Sequence, residues 1–378
     1  MRRTLLVALI AVLPQLLRAH QHPAALPEPP PAPDPAEVRA LVERVADWQL
    51  AHPSHHPAVD WTQGVFDAGV MAVAGISDSP RFLAAMVAMG ESTDWRLGPR
   101  PYDADDQCVG QAYAEIFLRR RDPRMISPMR QRFDWILAHP PDISLDFDPV
   151  RNPHARDRWS WCDSLFMAPP AWVRLYAATG DHRYLDFATA NWLATSAYLY
   201  DQKEHLFFRD STYFALREAN GRKVFWSRGN GWVMAGLVRV LQFLPEDDPS
   251  RGRFIRQFRE MAEAISSCQQ PDGLWRASLL DPSEYPLKET SGSGLYCFAM
   301  AWGVNQGLLD RVRYEPVVVR AWQGLASCVT PEGRLSHVQP IGADPRKFDP
   351  EATEVYGVGA FLLAGSEIFC LAGSGVRR

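Results

Sequence analysis

The sequence lacks the signatures that define several broad classes of protein. Its six cysteines, at 108, 162, 268, 297, 328 and 370, form no CxxC pair, and no histidine stands at zinc-ligand spacing from them. That argues against a cysteine-held metal site, and neither a metal nor an organic cofactor is expected. No G-x-S-x-G elbow occurs, which removes support for Ser-His-Asp hydrolysis. The stretch Lys288-Glu-Thr-Ser-Gly-Ser-Gly294 lacks the Gly-Lys-Thr of a phosphate loop and reads as the cap of a following helix. One-sided charge is missing as well: 40 basic and 44 acidic residues give a formal net charge of −4. With the two signs mixed along the chain, neither a nucleic-acid groove nor a basic membrane patch is indicated. Strand-like alternation is scarce, and beyond the N-terminus no stretch reads as a membrane span.

What is present is apolar mass and tryptophan. Of 378 residues, 47% are hydrophobic and 22% charged, enough for one large globular domain or two ordinary ones. Most of the 13 tryptophans belong in such a core, although the same ring can stack on a sugar face. Arg2 and Arg3 precede an apolar run from Leu5 to Leu17, which reads as an export signal over residues 1–19 and predicts a periplasmic or secreted protein. Residues 20–36 are rich in His, Pro and Ala and read as a solvated linker, leaving 37–378 as the folded domain. Cys297 and Cys370 sit in apolar helical text and are expected as buried thiols. Nothing in the sequence sets an oligomeric state.

A short phrase recurs through that domain. Asp78, Asp122, Asp181, Asp248 and Asp310 each lead into a proline or basic residue and then an apolar helical start. Asp is a strong N-cap and Pro is tolerated in a first turn, so each phrase marks a helix beginning after a turn. The intervals, roughly 45–65 residues, each hold about two helices with loops, which makes the unit a helical hairpin, and about six units fit. Six hairpins with inner and outer rings of helices make an all-α toroid, an (α/α)6 barrel. Loops at one end of the inner ring then converge, so the stretches between the phrases should carry the chemistry.

Three of those stretches stand out. In Trp159-Ser-Trp161-Cys-Asp163-Ser-Leu-Phe-Met-Ala-Pro-Pro170, an acid lies between aromatic and apolar residues, with two prolines suited to a first helical turn. Asp163 is either a helix-start acid held by backbone N–H groups or an acid tuned by desolvation, which Trp161, Phe166 and Met167 would supply. Asp103, Asp105 and Asp106 crowd three acids into four positions ahead of another helix, either as caps or as a second carboxylate facing Asp163. Trp226-Ser-Arg228-Gly-Asn230-Gly-Trp232 sets an arginine and an asparagine between two tryptophans on flexible glycines. Folding alone does not ask for that combination. Arg suits a carboxylate and Trp a ring, so the run points to a uronic acid sugar. His154, in a polar loop ahead of Asp163, and Tyr356, at a glycine-softened helix start, are further candidates for lining the site.

Taken together, Trp161-Cys-Asp163-Ser-Leu-Phe-Met-Ala-Pro-Pro, Phe225-Trp-Ser-Arg-Gly-Asn-Gly-Trp232, Glu289-Thr-Ser-Gly-Ser and Tyr356-Gly-Val-Gly-Ala-Phe-Leu resemble the unsaturated glucuronyl/rhamnogalacturonyl hydrolases of glycoside hydrolase families 88 and 105. The resemblance covers nearly everything after the linker, in the family's order. It implies an (α/α)6 barrel, no metal, and a small acidic oligosaccharide left by a polysaccharide lyase as substrate. It also implies Asp163 as the catalytic aspartate, Asp105 (or its neighbour Asp106) as the second, and Trp226, Arg228 and Trp232 lining the pocket, with Arg228 on the uronate carboxylate. The chain departs from the family at Phe207-Phe-Arg209-Asp-Ser-Thr-Tyr213, where a His-rich phrase is usual, so Arg209 becomes a candidate substrate contact. The implied chemistry is hydration of a C4=C5 double bond, in which one carboxyl can serve as acid and then base. An inverting glycosidase acting on saturated acidic oligosaccharides, and a non-catalytic sugar-binding protein, are the competing readings.

Overall fold

The computed structural model describes residue 31, residues 33–148, residue 150 and residues 153–373. The leader expected at 1–19 and most of the linker expected at 20–36 lie outside these. Six hairpins follow one another, each an outer helix and then an inner one. They are α1 (Pro35–Ala51) with α2 (Trp61–Ile76), and α3 (Arg81–Ser92) with α4 (Gly110–Arg120). Next comes α5 (Ser127–Ala138) with the single turn α6 (Ser164–Met167) and α7 (Pro169–Thr179). Then come α8 (His182–Leu199) with α9 (Ser227–Leu241), α10 (Arg251–Ser266) with α11 (Thr290–Asn305), and α12 (Arg311–Ala326) with α13 (Val355–Ala372).

The two rings differ in burial because they differ in what surrounds them. In α10, Phe254, Phe258, Met261, Ala262 and Ile265 are buried, one stripe at helical spacing. Every residue of α9 is buried, as expected of a helix covered on all sides. The inner helices pack in the order α2, α4, α7, α9, α11 and α13, and α13 packs back on α2, so the ring is closed. The seam is a close approach of two backbones. A Cβ on Gly69 would stand 2.6 Å from the Gly359 carbonyl oxygen, and one on Gly359 would overlap the Val65 carbonyl. Glycine is needed at both.

The recurring aspartates behave as the phrase predicts, with one exception. Asp122, Asp181, Asp248 and Asp310 accept backbone N–H bonds from residues at the turns into the outer elements. Asp78 does not cap α3; it pairs with Arg39 at 2.5 Å. Asp34 caps α1, so the helix begins at Pro35, inside the stretch expected as linker. Two further expectations are corrected. Cys370 is exposed, because it falls on the last turn of α13, where it lines a cavity at the C-terminal ends of the inner helices. And α13 is long and apolar enough by composition to cross a membrane, but 78% of its most apolar window is buried as an inner helix. No disulfide joins the cysteines among the described residues.

Turns that lead from an inner helix to the next outer one are short, whereas connections from outer to inner are long: 93–109, 139–163, 200–226, 267–289 and 327–354. The long ones gather where the inner helices begin. One of them carries a small antiparallel pair, β1 (Tyr200–Asp201) and β2 (Leu206–Phe207).

Candidate active site

Asp163 stands at the start of α6, but its carboxylate bonds to none of the N–H groups there, so it is not a cap. It is buried, with 9% of its surface exposed. The chain just after β2 is laid against it by a bridge between Trp161 and Asp210 and by the Cys162 N–H donating to the Arg209 carbonyl at 2.7 Å. That pairing brings Arg209 Nε to 3.8 Å from Asp163 Oδ2. The same oxygen accepts from the Cys162 thiol at 3.3 Å. From inside the ring, Gln111 Nε2 donates to the Phe166 carbonyl at 2.8 Å and holds α6 in place. Gln111 in turn accepts from Arg239, which shares Glu115 with Arg174. Burial pushes the Glu115 carboxyl up, but the two guanidiniums outweigh it and hold it below its ordinary value.

The three acids of 103–106 are held by different partners. Asp103 caps the short turn, accepting from Asp105 N at 3.0 Å, and also takes Arg156 Nε at 2.9 Å. Asp106 receives Arg100 N, Nε and Nη2 at 2.6, 3.1 and 2.7 Å. Its oxygens are taken by Arg100, against the expectation that it could stand as the second carboxylate. Asp105 pairs with Arg156, whose guanidinium lies 4.5 Å over the Trp161 ring. Burial pushes the Asp105 carboxyl up to about 7; Arg156 opposes the rise, and the charges of Asp103 and Asp163 add to it. Of the two neighbours, Asp105 is the one whose carboxyl feels the charge of Asp163, whereas Asp106 is held by Arg100.

The Trp226–Trp232 run is placed otherwise than expected. Arg228 is 1% exposed, and its guanidinium donates to the Gln339 and Pro340 carbonyls and to Tyr356 Oη, with the Trp226 ring 4.5 Å away. It clamps the 339–340 loop through Nη1 and Nη2. Asn230 ties α9 to β2, accepting from Phe207 N at 2.7 Å and donating to Phe207 O at 3.0 Å. Trp226 Nε1 donates to Gln339 Oε1 at 3.0 Å, and Tyr356 Oη donates to Gln339 O at 2.6 Å. Trp232 is buried against Phe166 and Tyr356. These residues form the wall behind the site. His154 pairs with Asp157 at 2.8 Å on an exposed loop. Glu289 caps α11 through Ser291 N and Gly292 N.

Sequence reasoning missed Arg156 and Trp61. Three acids within four positions demand nearby cations, which was the available signal for Arg156. Trp61, half-buried at the start of α2, stands 5.0 Å from Tyr356 and keeps part of its ring open. A cavity of about 1020 Å³ lies behind the loop that carries Asp105, lined by residues such as Arg96, Arg132 and Trp135, and shares no lining residue with the carboxylate cluster. Among the described residues, no group of three or more His, Cys, Asp or Glu side chains is placed to hold a metal ion.

The arrangement gathers two buried carboxylates, Asp163 and Asp105, with Arg209 and Arg156 beside them, at the loop end of a six-hairpin ring. The model of glycosyl hydrolase family 88 matches residues 38–371. The chain belongs to glycosyl hydrolase family 88. Within it, an unsaturated 3S-rhamnoglycuronyl hydrolase from Formosa agariphila is 38% identical over 346 residues, 89% of this chain and 91% of that protein. A solved family 88 hydrolase from Bacteroides vulgatus is 29% identical with a TM-score of 0.82, covering 90% of this chain and 100% of that one. A solved structure named as a polysaccharide lyase is 31% identical with the same TM-score, covering 91% and 99%. Family 88 membership makes the chain a glycosidase and its ring an (α/α)6 barrel.

Proposed function

We propose that this family 88 member removes the Δ4,5-unsaturated uronic acid from the non-reducing end of lyase-generated oligosaccharides, with Asp163 as general acid and then base. The observation that carries the reading is the buried Asp163 carboxylate, uncommitted to its helix and close enough to Asp105 for the two charges to act on each other. Asp163 gives its proton to C4 of the C4=C5 bond. Water adds its oxygen at C5 and returns a proton to Asp163, so the carboxyl ends as it began and one water has been added. The resulting hemiketal opens and releases the remainder of the chain. Asp105, neutral below about pH 7, supplies a donor for substrate hydroxyls. The name of the 38%-identical relative makes unsaturated uronyl-rhamnose oligosaccharides the first substrates to try. The leader at residues 1–19 supports export, which N-terminal sequencing of protein from periplasm and medium would check.

The test is the ultraviolet absorbance of the conjugated double bond, followed on lyase products of several acidic polysaccharides. Loss of absorbance is expected, with Asp163→Asn reducing turnover by about 10³-fold or more while the circular dichroism spectrum is unchanged. An active Asp163→Asn protein would sink the assignment. The resemblance to a lyase is separated in the same cuvette, since a lyase creates the double bond and absorbance would rise on the intact polymer.

A further inference from the structure

We propose that the cavity of about 1020 Å³ beside α5 is a second saccharide site, which holds an internal stretch of an acidic polysaccharide apart from the catalytic carboxylates; the choice of a sugar as ligand rests on the function proposed above. The cavity shares no lining residue with the carboxylate cluster, so a chain held there leaves Asp163 free for a chain end. Pro128 and Trp135 both line it from α5, and their separation along the helix is roughly 10 Å, longer than one sugar ring.

Its charge is one-sided. The lining carries two cations, Arg96 and Arg132, and no acid, in a chain whose formal net charge is −4. Arg132 Nη1 donates to the Gly98 carbonyl at 3.1 Å, and among the described residues no carboxylate pairs with this guanidinium. Burial lowers its pKa, and the charge of Asp106, which Arg100 already holds, opposes the fall. A half-buried guanidinium without a counter-charge of its own favours an anion. Arg96 is paired with Asp94 at 3.2 Å, but both side chains are 73% exposed, and a pair of that kind exchanges readily for another anion.

The same cavity offers a ring face. Trp135 is 43% exposed, whereas tryptophans such as Trp161, Trp172, Trp192 and Trp275 are packed inside. The indole is propped before any ligand arrives. His139 stacks on it at 4.9 Å, Tyr102 leans on it at 5.3 Å, and the Tyr102 hydroxyl donates to the His139 carbonyl at 2.6 Å. A platform fixed in this way loses little freedom on binding. Gln131, exposed next to Arg132, adds an amide for sugar hydroxyls. An indole face, an amide and two guanidiniums, with no carboxylate among them, suit a sugar ring that carries negative charge. A polymer held here keeps its ends close to the enzyme, which raises their effective concentration at the loop end of the ring.

The test is affinity electrophoresis of the whole protein in gels cast with polygalacturonate, ulvan or hyaluronate, beside gels with neutral dextran and with polyglutamate. Wild type and Asp163→Asn are expected to be retarded alike by at least one acidic polysaccharide, and neither by dextran. Trp135→Ala and Arg132→Gln should each raise the Kd for that polymer by about tenfold, while kcat and KM for an unsaturated disaccharide stay within about twofold of wild type. Polyglutamate has charge without rings, so any retardation by it should be indifferent to Trp135→Ala. Arg96→Gln, on a side chain that is 73% exposed, should raise Kd by about threefold and decides the matter if the other variants do not fold. No retardation of wild type by any acidic polysaccharide, or equal retardation of all variants, would overturn the proposal. So would a disaccharide KM that rises in step with Kd, since the residues would then belong to the catalytic site. Retardation that the variants lose, in a protein that consumes no double bond on any lyase product, would overturn the functional reading and leave the second site standing.

Discussion

Arg228→Ala should cost stability rather than carboxylate recognition. The substitution strips partners from the Gln339 and Pro340 carbonyls and from Tyr356 Oη, and removes the cation from the Trp226 ring at 4.5 Å. Hydrogen bonds from a charged donor are worth about 1.5–3 kcal/mol each, and a cation–π contact about 0.5–1 kcal/mol. Water entering the truncated space recovers part of this, which leaves a loss of about 4 kcal/mol. For a domain of this length that corresponds to a fall in Tm of about 5 °C. The 339–340 loop also holds Trp226 through Gln339, so kcat should fall a few-fold for free-acid and methyl-ester substrates alike. The assay is thermal unfolding by circular dichroism beside acid and ester kinetics. A Tm within about 1 °C of wild type, together with a KM for the acid raised about 100-fold and unchanged for the ester, would refute this account and return the carboxylate to Arg228.

Two further outcomes test the electrostatics and the ring. Because the folded state holds the Asp105 proton up to about pH 7, well above the usual carboxylate range, it binds more protons than the unfolded chain between about pH 4 and 7, and stability should decline as pH rises through that window. Asp105→Asn removes the ionisation, so its Tm should exceed that of wild type by roughly 3 °C at pH 8 and by much less at pH 5, while activity falls; an equal difference at both pH values would contradict the shift. Gly359→Ala drives a methyl into the Val65 carbonyl at the seam and should cost about 2–3 kcal/mol, seen as a lowered urea midpoint, with kcat per folded molecule unchanged.

Much of the fold could be read because its signals are local. An aspartate that caps a helix needs only its own next residues, and Asp122, Asp181 and Asp310 do as their phrases predict. Asp163 stands out for a related reason: an acid surrounded by Trp161, Phe166 and Met167 is unusual wherever it occurs. Arg228 was misread because its partners, the carbonyls at 339 and 340, lie more than a hundred residues away and carry no side-chain signal. Composition shows that an arginine has work to do but not whether backbone or ligand receives it. The same limit hid the division among Asp103, Asp105 and Asp106, which depends on where Arg100 and Arg156 reach from. It also hid Trp61, whose neighbour Tyr356 belongs to the last helix of the chain.

The Gly69–Gly359 seam joins the first inner helix to the last, so the chain's two ends are fastened to each other through their interiors. Synthesis from the N-terminus cannot complete the ring until α13 has been made, and every nascent chain shorter than that has an unsealed apolar flank on α2. Once sealed, the circle has no privileged beginning. New termini cut at the short turn around Gly180, with the old ends joined by a flexible tether, should leave the order of neighbours around the circle unchanged and yield a working permuted enzyme.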